Sequence, residues 1–120
     1  MCKFPNGLII SPLHPIYMID FGWTFPKDHI EPTPYNGEYI YNIILDTGHI
    51  VSISNIQCIT LAHNYNNNEI IRHDYLGTDK VLEDIRVINT NNILNDIFLN
   101  GLVDINGVGR GDNGYIKSFY

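Results

Sequence analysis

Hydrophobic residues in the first half of the chain fall in short runs separated by turn-forming residues, a pattern typical of β-strands. The runs cover residues 7–10, 15–21, 38–45, 49–53 and 56–61. The segment 38–45 is rich in β-branched and aromatic side chains, and the turn sequence Asp46-Thr47-Gly48 separates it from the segment 49–53. We predict that these two segments pair as a hairpin and that residues 56–61 form a third strand.

The second half of the chain has a different pattern. Residues 64–68 contain four asparagines around Tyr65 and predict an exposed loop. After a possible N-cap at Thr78 or Asp79, hydrophobic residues recur at helical spacing over residues 80–88, and a weaker repeat covers residues 91–99. The glycine-rich tail holds short β segments such as 115–116. The predicted fold class is therefore mainly β, with one or two short helices in the C-terminal third.

Composition narrows the class of protein. The 120 residues are 44% hydrophobic and 17% charged, which is typical of one folded domain and excludes a disordered chain. A net charge of −6 argues against a nucleic-acid surface or an anionic-membrane surface. Two cysteines are too few for a disulfide framework. Since no signal peptide or membrane span is recognisable in the sequence, we expect a cytoplasmic protein.

The first candidate for chemistry is the corner Ser11-Pro12-Leu13-His14-Pro15. Two prolines would hold a hydroxyl and an imidazole on one rigid turn, from which both groups could act on a single peptide bond. The alternative is a structural Ser-Pro turn with a half-buried histidine beside it. Spacing alone favours the structural alternative.

Further candidates lie between residues 49 and 73. Cys58 and His63 could share a metal ion, with Cys2, His14, His49 and His73 as further ligands, although the short paired spacings of structural zinc sites are absent from the sequence. Cys58 lies in an isoleucine-rich run and is better explained as a small core residue. His73 and Asp74 suggest acid–base chemistry, but adjacent residues on a strand point to opposite faces. No cofactor is predicted.

Five blocks in a fixed order resemble the Hint superfamily of hedgehog and intein self-processing domains, and within it the Vint subgroup. They are residues 6–16 (NGLIISPLHPI), 23–26 (WTFP), 41–49 (YNIILDTGH), 56–63 (IQCITLAH) and 73–78 (HDYLGT). The resemblance covers nearly the whole chain. It implies a division into a C-terminal half of a Hint-like β domain, residues 1–63, and a Vint-like extension, residues 64–120, packed as one unit.

The resemblance also implies a mechanism. In Hint domains a cysteine attacks the peptide bond before it to form a thioester, while a threonine and a histidine of one block polarise that bond. Here Ser11 takes the threonine position and His14 the histidine position. His49, Cys58, His63 and His73 fall in the other blocks and are weaker site candidates. We expect the N-terminal half with its nucleophile to be absent, since few residues precede Ser11, and Cys2 could release only Met1.

Three functions follow as hypotheses. The first is a truncated Hint-like domain that is inactive in autoproteolysis alone and acts as a structural or protein-interaction module, with a protein partner or a homodimer. The second is a split self-processing enzyme whose nucleophile comes from another polypeptide, which an unpaired β edge would favour. The third is a small metal-binding protein that uses Cys58, His63 and His73.

Overall fold

A computed structural model describes residues 1–89 and 101–120, and within them the chain is mainly β with one α-helix. This confirms the predicted fold class. The elements are β1 (Cys2–Lys3), β2 (Ile9–Ile10), β3 (Ile16–Met18), β4 (Gly22–Thr24), a 3₁₀ turn (Pro26–Asp28), β5 (Ile50–Ile53), β6 (Ile56–Ile59), α1 (Asp79–Ile88), β7 (Val108–Arg110) and β8 (Ile116–Phe119). Among these residues no helix has the length and apolar character needed to cross a membrane.

The strands form three antiparallel sheets. Four strands share one sheet in the order β4-β3-β6-β5, while β1-β2 and β7-β8 are separate hairpins. The register sets Ile16 opposite Cys58 and Cys58 opposite Val51, so these three side chains share one face of the sheet. That face packs on the β1-β2 hairpin. The result is a first core whose buried members are Cys2, Leu8, Ile10, Ile16 and Cys58.

The predicted hairpin of residues 38–45 with 49–53 is wrong. Instead, β5 turns directly into β6 through Ser54 and Asn55, whose φ values of 50° and 65° are those of a tight hairpin turn. Asparagine tolerates this left-handed backbone, so the turn forms without glycine. Residues 38–45 form no strand, and Ile43 O accepts from Leu61 N, just beyond β6, at 3.0 Å.

The end of β6 is a junction of the whole chain. Four successive N–H groups, from residue 59 to residue 62, donate to carbonyls of four separate segments. The pairs are Ile59 with Pro15 (3.2 Å), Thr60 with His49 (2.9 Å), Leu61 with Ile43 (3.0 Å) and Ala62 with Leu76 (2.8 Å). Each bond satisfies one backbone N–H group that would otherwise lack an acceptor, and it connects one more segment to residues 59–62.

The predicted helix over residues 80–88 is confirmed as α1, which buries Val81 and Ile85. Thr78 is its N-cap, but the Thr78 hydroxyl donates to Asp74 O at 2.9 Å and not to a helix N–H. The segment 91–99, predicted as a second helix, lies outside the described residues. The loop over residues 64–68 is confirmed, and the predicted tail strand is β8.

A second core joins α1 to the tail. Its buried members are Leu61, Ala62, Tyr75, Val81, Ile85 and Phe119. Within it the Tyr75 hydroxyl donates to Asp84 Oδ2 at 2.7 Å and accepts from Phe119 N at 2.8 Å. One side chain therefore satisfies a helix carboxylate and a strand N–H at once.

Removing this hydroxyl tests how far the second core depends on it. We expect Tyr75→Phe to lower the free energy of unfolding by about 1–3 kcal/mol, because a buried N–H loses its main acceptor. Tyr41→Phe is the matched control, since Tyr41 is 72% exposed; it should stay within about 0.5 kcal/mol. Urea unfolding measures both. Equal effects of the two substitutions would contradict the assignment.

Candidate functional site

The proline-braced corner sits between β2 and β3 and is locked to the rest of the fold. His14 N donates to Ser11 O at 3.2 Å, which closes the turn, and Lys27 N donates to Pro12 O at 3.1 Å. The His14 ring reaches across to β6, where Nε2 lies 2.7 Å from Ile59 O. Because a carbonyl only accepts, Nε2 carries the hydrogen, and Nδ1 keeps the lone pair when the ring is neutral.

Ser11 and His14 line one cavity of about 240 Å³ together with Cys58. Its other walls come from the β1-β2 hairpin, from β5 and from the segment 39–43. No Asp, Glu, Lys or Arg side chain lines it. The structure therefore brings together Ser11 and His14, the two main candidates from the resemblance, with the weaker candidate Cys58, around a space whose lining residues include Met1 but no charged side chain.

Burial sets the protonation of the corner. It lowers the pKa of His14 below its ordinary value, and the hydrogen bond to Ile59 opposes this only in part. At neutral pH the ring is therefore neutral, with Nδ1 as a possible base. The hydrogen on Nε2 is already donated to the Ile59 carbonyl.

Both thiols are deeply buried. Cys2 is 0% exposed and Cys58 is 1% exposed, and both belong to the first core. Burial raises the pKa of Cys58 to about 11 and raises that of Cys2 as well. The two sulfurs face carbonyls, Ile30 O at 3.4 Å from Cys2 and Ile56 O at 3.5 Å from Cys58. Both are therefore protonated thiols at neutral pH, a poor state for attack on a peptide bond.

His63 and His73 hold loops together. His63 Nδ1 accepts from Tyr65 N at 2.9 Å, so Nε2 donates to Ile71 O at 2.9 Å. His73 Nδ1 accepts from Leu76 N at 2.9 Å and from Tyr75 N at 3.2 Å. Both ring nitrogens of His63 form hydrogen bonds with backbone groups, and one ring nitrogen of His73 does so.

The structure does not bring Cys58, His63 and His73 together as metal ligands. Within residues 1–89 and 101–120, no group of three His, Cys, Asp or Glu side chains is arranged to hold a metal ion. His63 has no free lone pair, and Cys58 lies in the first core whereas His63 is bonded within the loop that leads to the second. The metal-binding hypothesis thus lacks a supporting geometry.

His49 belongs to a polar pair that sequence reasoning missed. It faces Thr60 across the continuation of β5 and β6, where Thr60 N donates to His49 O at 2.9 Å. His49 Nδ1 and Thr60 Oγ1 are buried and have no hydrogen-bond partner among the described residues. Tyr65 contacts the His49 ring edge-on, with centroids 5.5 Å apart. The signal in the sequence was a threonine within the otherwise apolar run 58–62.

Comparison with known families gives one match. The Vint family model, described as a Hint-domain, matches residues 1–110. A search of curated proteins found no match.

Three histidines, the buried His63 and the half-buried His14 and His73, predict acid sensitivity. Burial lowers the folded-state pKa of His14, His63 and His73 below the unfolded value of about 6.5, so the unfolded chain binds more protons below that pH. Stability contributed by these groups is present above about pH 6.5 and is lost as the pH falls toward each folded-state pKa. Between about pH 7.5 and pH 5.5, we expect each ring to cost at most about 1.4 kcal/mol of the free energy of unfolding.

Urea unfolding at the two pH values measures this loss. His73→Asn is the informative variant, because its side-chain oxygen can replace Nδ1 as the acceptor for Leu76 N but does not titrate. The pH dependence should become shallower in that variant. A stability that is flat or rises toward acid in the unmodified chain would contradict the prediction.

A close approach at Gly77 gives a second prediction. A Cβ at this position would lie 2.8 Å from His73 O and 2.9 Å from His63 Nε2. We therefore expect Gly77→Ala to cost about 1–3 kcal/mol of stability. In the control Gly111→Ala, the nearest atom is the side-chain oxygen of Asn113 at 3.2 Å, which can move aside. Comparable losses for the two variants would show that the contact with His63 is not restrictive.

Proposed function

The chain belongs to the Vint family of Hint domains, and from this membership we propose a Hint-like module that does not perform autoproteolysis alone. Its role is then structural or one of protein interaction, with a protein partner or a second copy. The observation that carries the proposal is the state of the two thiols. Both are buried, and burial raises the pKa of each.

Hint-type cleavage requires a sulfur that attacks a carbonyl carbon. The new C–S bond forms as the C–N bond breaks, and the departing amine takes a proton from an acid. The sulfur of Cys2 is in the first core, where it donates to Ile30 O at 3.4 Å. The carbonyl before Cys2, Met1 O, accepts from Thr33 N at 2.9 Å, so the sulfur and the carbonyl it would attack are both held in hydrogen bonds of the fold. This supports an inactive ground state.

The state of His14 supports the same conclusion. To protonate a leaving amine, the imidazole must offer a hydrogen toward that nitrogen. The neutral ring donates its hydrogen to Ile59 O, and the lowered pKa of His14 disfavours a second proton on Nδ1. The corner is therefore built to hold the strands in place, and it lacks an available proton donor.

The division of the chain is part of the proposal. The buried members of the first core lie within residues 2–58, and those of the second lie within residues 61–119. This distribution supports a Hint-like β portion over residues 1–63 and an extension over residues 64–120. Phe119 and Tyr75 pack in the second core together with Leu61 and Ala62, so the two portions adjoin at the end of β6.

A split self-processing enzyme is the alternative function. Ser11 and His14 face a common cavity, and an incoming polypeptide could bring its own cysteine to that space. Within the described residues, β5 is an edge strand of the four-stranded sheet, which favours strand addition from a partner.

A reporter fused in front of the chain separates these functions. We expect no cleavage by mass spectrometry for the chain alone, with or without hydroxylamine or a thiol, because neither thiol is activated. Cleavage that is lost in Cys2→Ala would overturn the proposal.

The second arm adds the polypeptide encoded directly upstream. Cleavage only in its presence, slowed by about 10²–10⁴-fold in His14→Ala, would establish the split enzyme. Leu13→Ala is the matched control, since Leu13 is 48% exposed in the same turn. If the corner is structural, Ser11→Ala and His14→Ala cost at most about 1–2 kcal/mol of stability and change no cleavage.

A further inference from the structure

The segment 38–45 has the composition of a strand but has no strand partner among the described residues. Its central side chains are exposed: Tyr39 by 59%, Ile40 by 64% and Tyr41 by 72%. Between residues 39 and 42, the backbone hydrogen bond that the structure gives is the one from the Tyr35 hydroxyl to Tyr39 O. The remaining N–H and C=O groups of this stretch have no partner within the part of the chain described.

These free backbone groups border the cavity that holds Ser11 and His14. Residues 39–43 form one wall of that cavity, and the opposite walls are aliphatic. Two of the aliphatic residues, Ile9 and Ile53, are themselves 46% and 36% exposed. We name this feature the strand groove: the cavity together with its walls at residues 9–10, 39–43 and 51–53.

The chemistry of the strand groove restricts what can occupy it. Extended backbone is required, because only a strand satisfies a row of free N–H and C=O groups. Apolar side chains are required opposite Ile9 and Ile53. The lining holds no Asp, Glu, Lys or Arg side chain, so a charged side chain in the groove would find no charged side chain to pair with.

A second copy of the chain is a poor occupant. Antiparallel pairing of two 38–45 segments centred on Asn42 would set Glu38 against Asp46 of the other copy. Like charges directly opposite are destabilising, and each copy carries a net charge of −6. The net charge of each copy and the charges in this register both disfavour a second copy, so we take a different sequence as the occupant.

We propose that the strand groove receives an extended, uncharged, apolar β-strand from another polypeptide, which pairs with the backbone of residues 39–42. This inference rests on the proposed role as an interaction module and specifies its partner. The added strand covers Tyr39, Ile40 and Tyr41 and passes over the corner that carries Ser11 and His14.

Hydrogen exchange on the full chain tests the proposal. The probe is a short peptide of alternating valine and threonine, and the matched peptide has glutamate in place of every valine. With the first peptide at ten times its Kd, we expect exchange of the amides of residues 39–43 to slow by about tenfold, because the unbound fraction falls to 1/(1 + [L]/Kd). The charged peptide should give no protection.

Two matched variants locate the site. Ile53→Asp places a charge in the strand groove and should abolish protection, whereas Ile19→Asp alters a residue that is 92% exposed outside the groove and should leave it intact. Circular dichroism checks that both variants are folded.

Protection confined to β4, or unchanged exchange at residues 39–43 in the folded chain, would overturn the proposal. Protection that grows with protein concentration alone, without peptide, would assign the groove to a second copy and would also overturn it. The reporter assay tests a different claim. Cleavage by the chain alone would refute the proposed inactivity, but it would leave the hydrogen-exchange result for the strand groove unchanged.

Discussion

The four consecutive N–H groups at the end of β6 are the constraint on which the rest of the structure depends. Each donates to a different part of the chain, so residues 59–62 fix the corner, the approach to β5, the segment near Ile43 and the loop before α1 relative to one another. The same stretch supplies the carbonyl that holds His14, at Ile59. A site assembled from distant segments needs such a common reference, because the entropy of each loop must be offset by specific bonds.

Local signals predicted the elements that depend on local order. The spacing of Val81, Leu82, Ile85 and Ile88 defines α1 regardless of its partner, and the corner at residues 11–15 follows from its two prolines. The pairing of strands could not be predicted in this way. Residues 38–45 and 56–59 both have the composition of a neighbour for β5, and the turn at Ser54-Asn55 joins β5 to the second without the glycine that usually marks such turns.

The histidines illustrate a similar limit for the site. In the sequence, His14, His63 and His73 are equivalent as possible acids, bases or ligands. In the structure, each ring uses at least one nitrogen for a backbone group of a nearby or opposing segment. Those partners are carbonyls and amides, which every residue carries and which sequence patterns do not reveal. The role of an imidazole here is therefore decided by main-chain geometry.

The burial of both thiols has a consequence for how motion in this protein can be followed. Cys2 and Cys58 are members of the first core, whereas the described part of the second core holds no cysteine. An alkylating reagent can modify either sulfur only after the sheet and the β1-β2 hairpin separate. The rate of thiol alkylation therefore reports the opening of the first core alone. It does not respond to fluctuations that are confined to the second core.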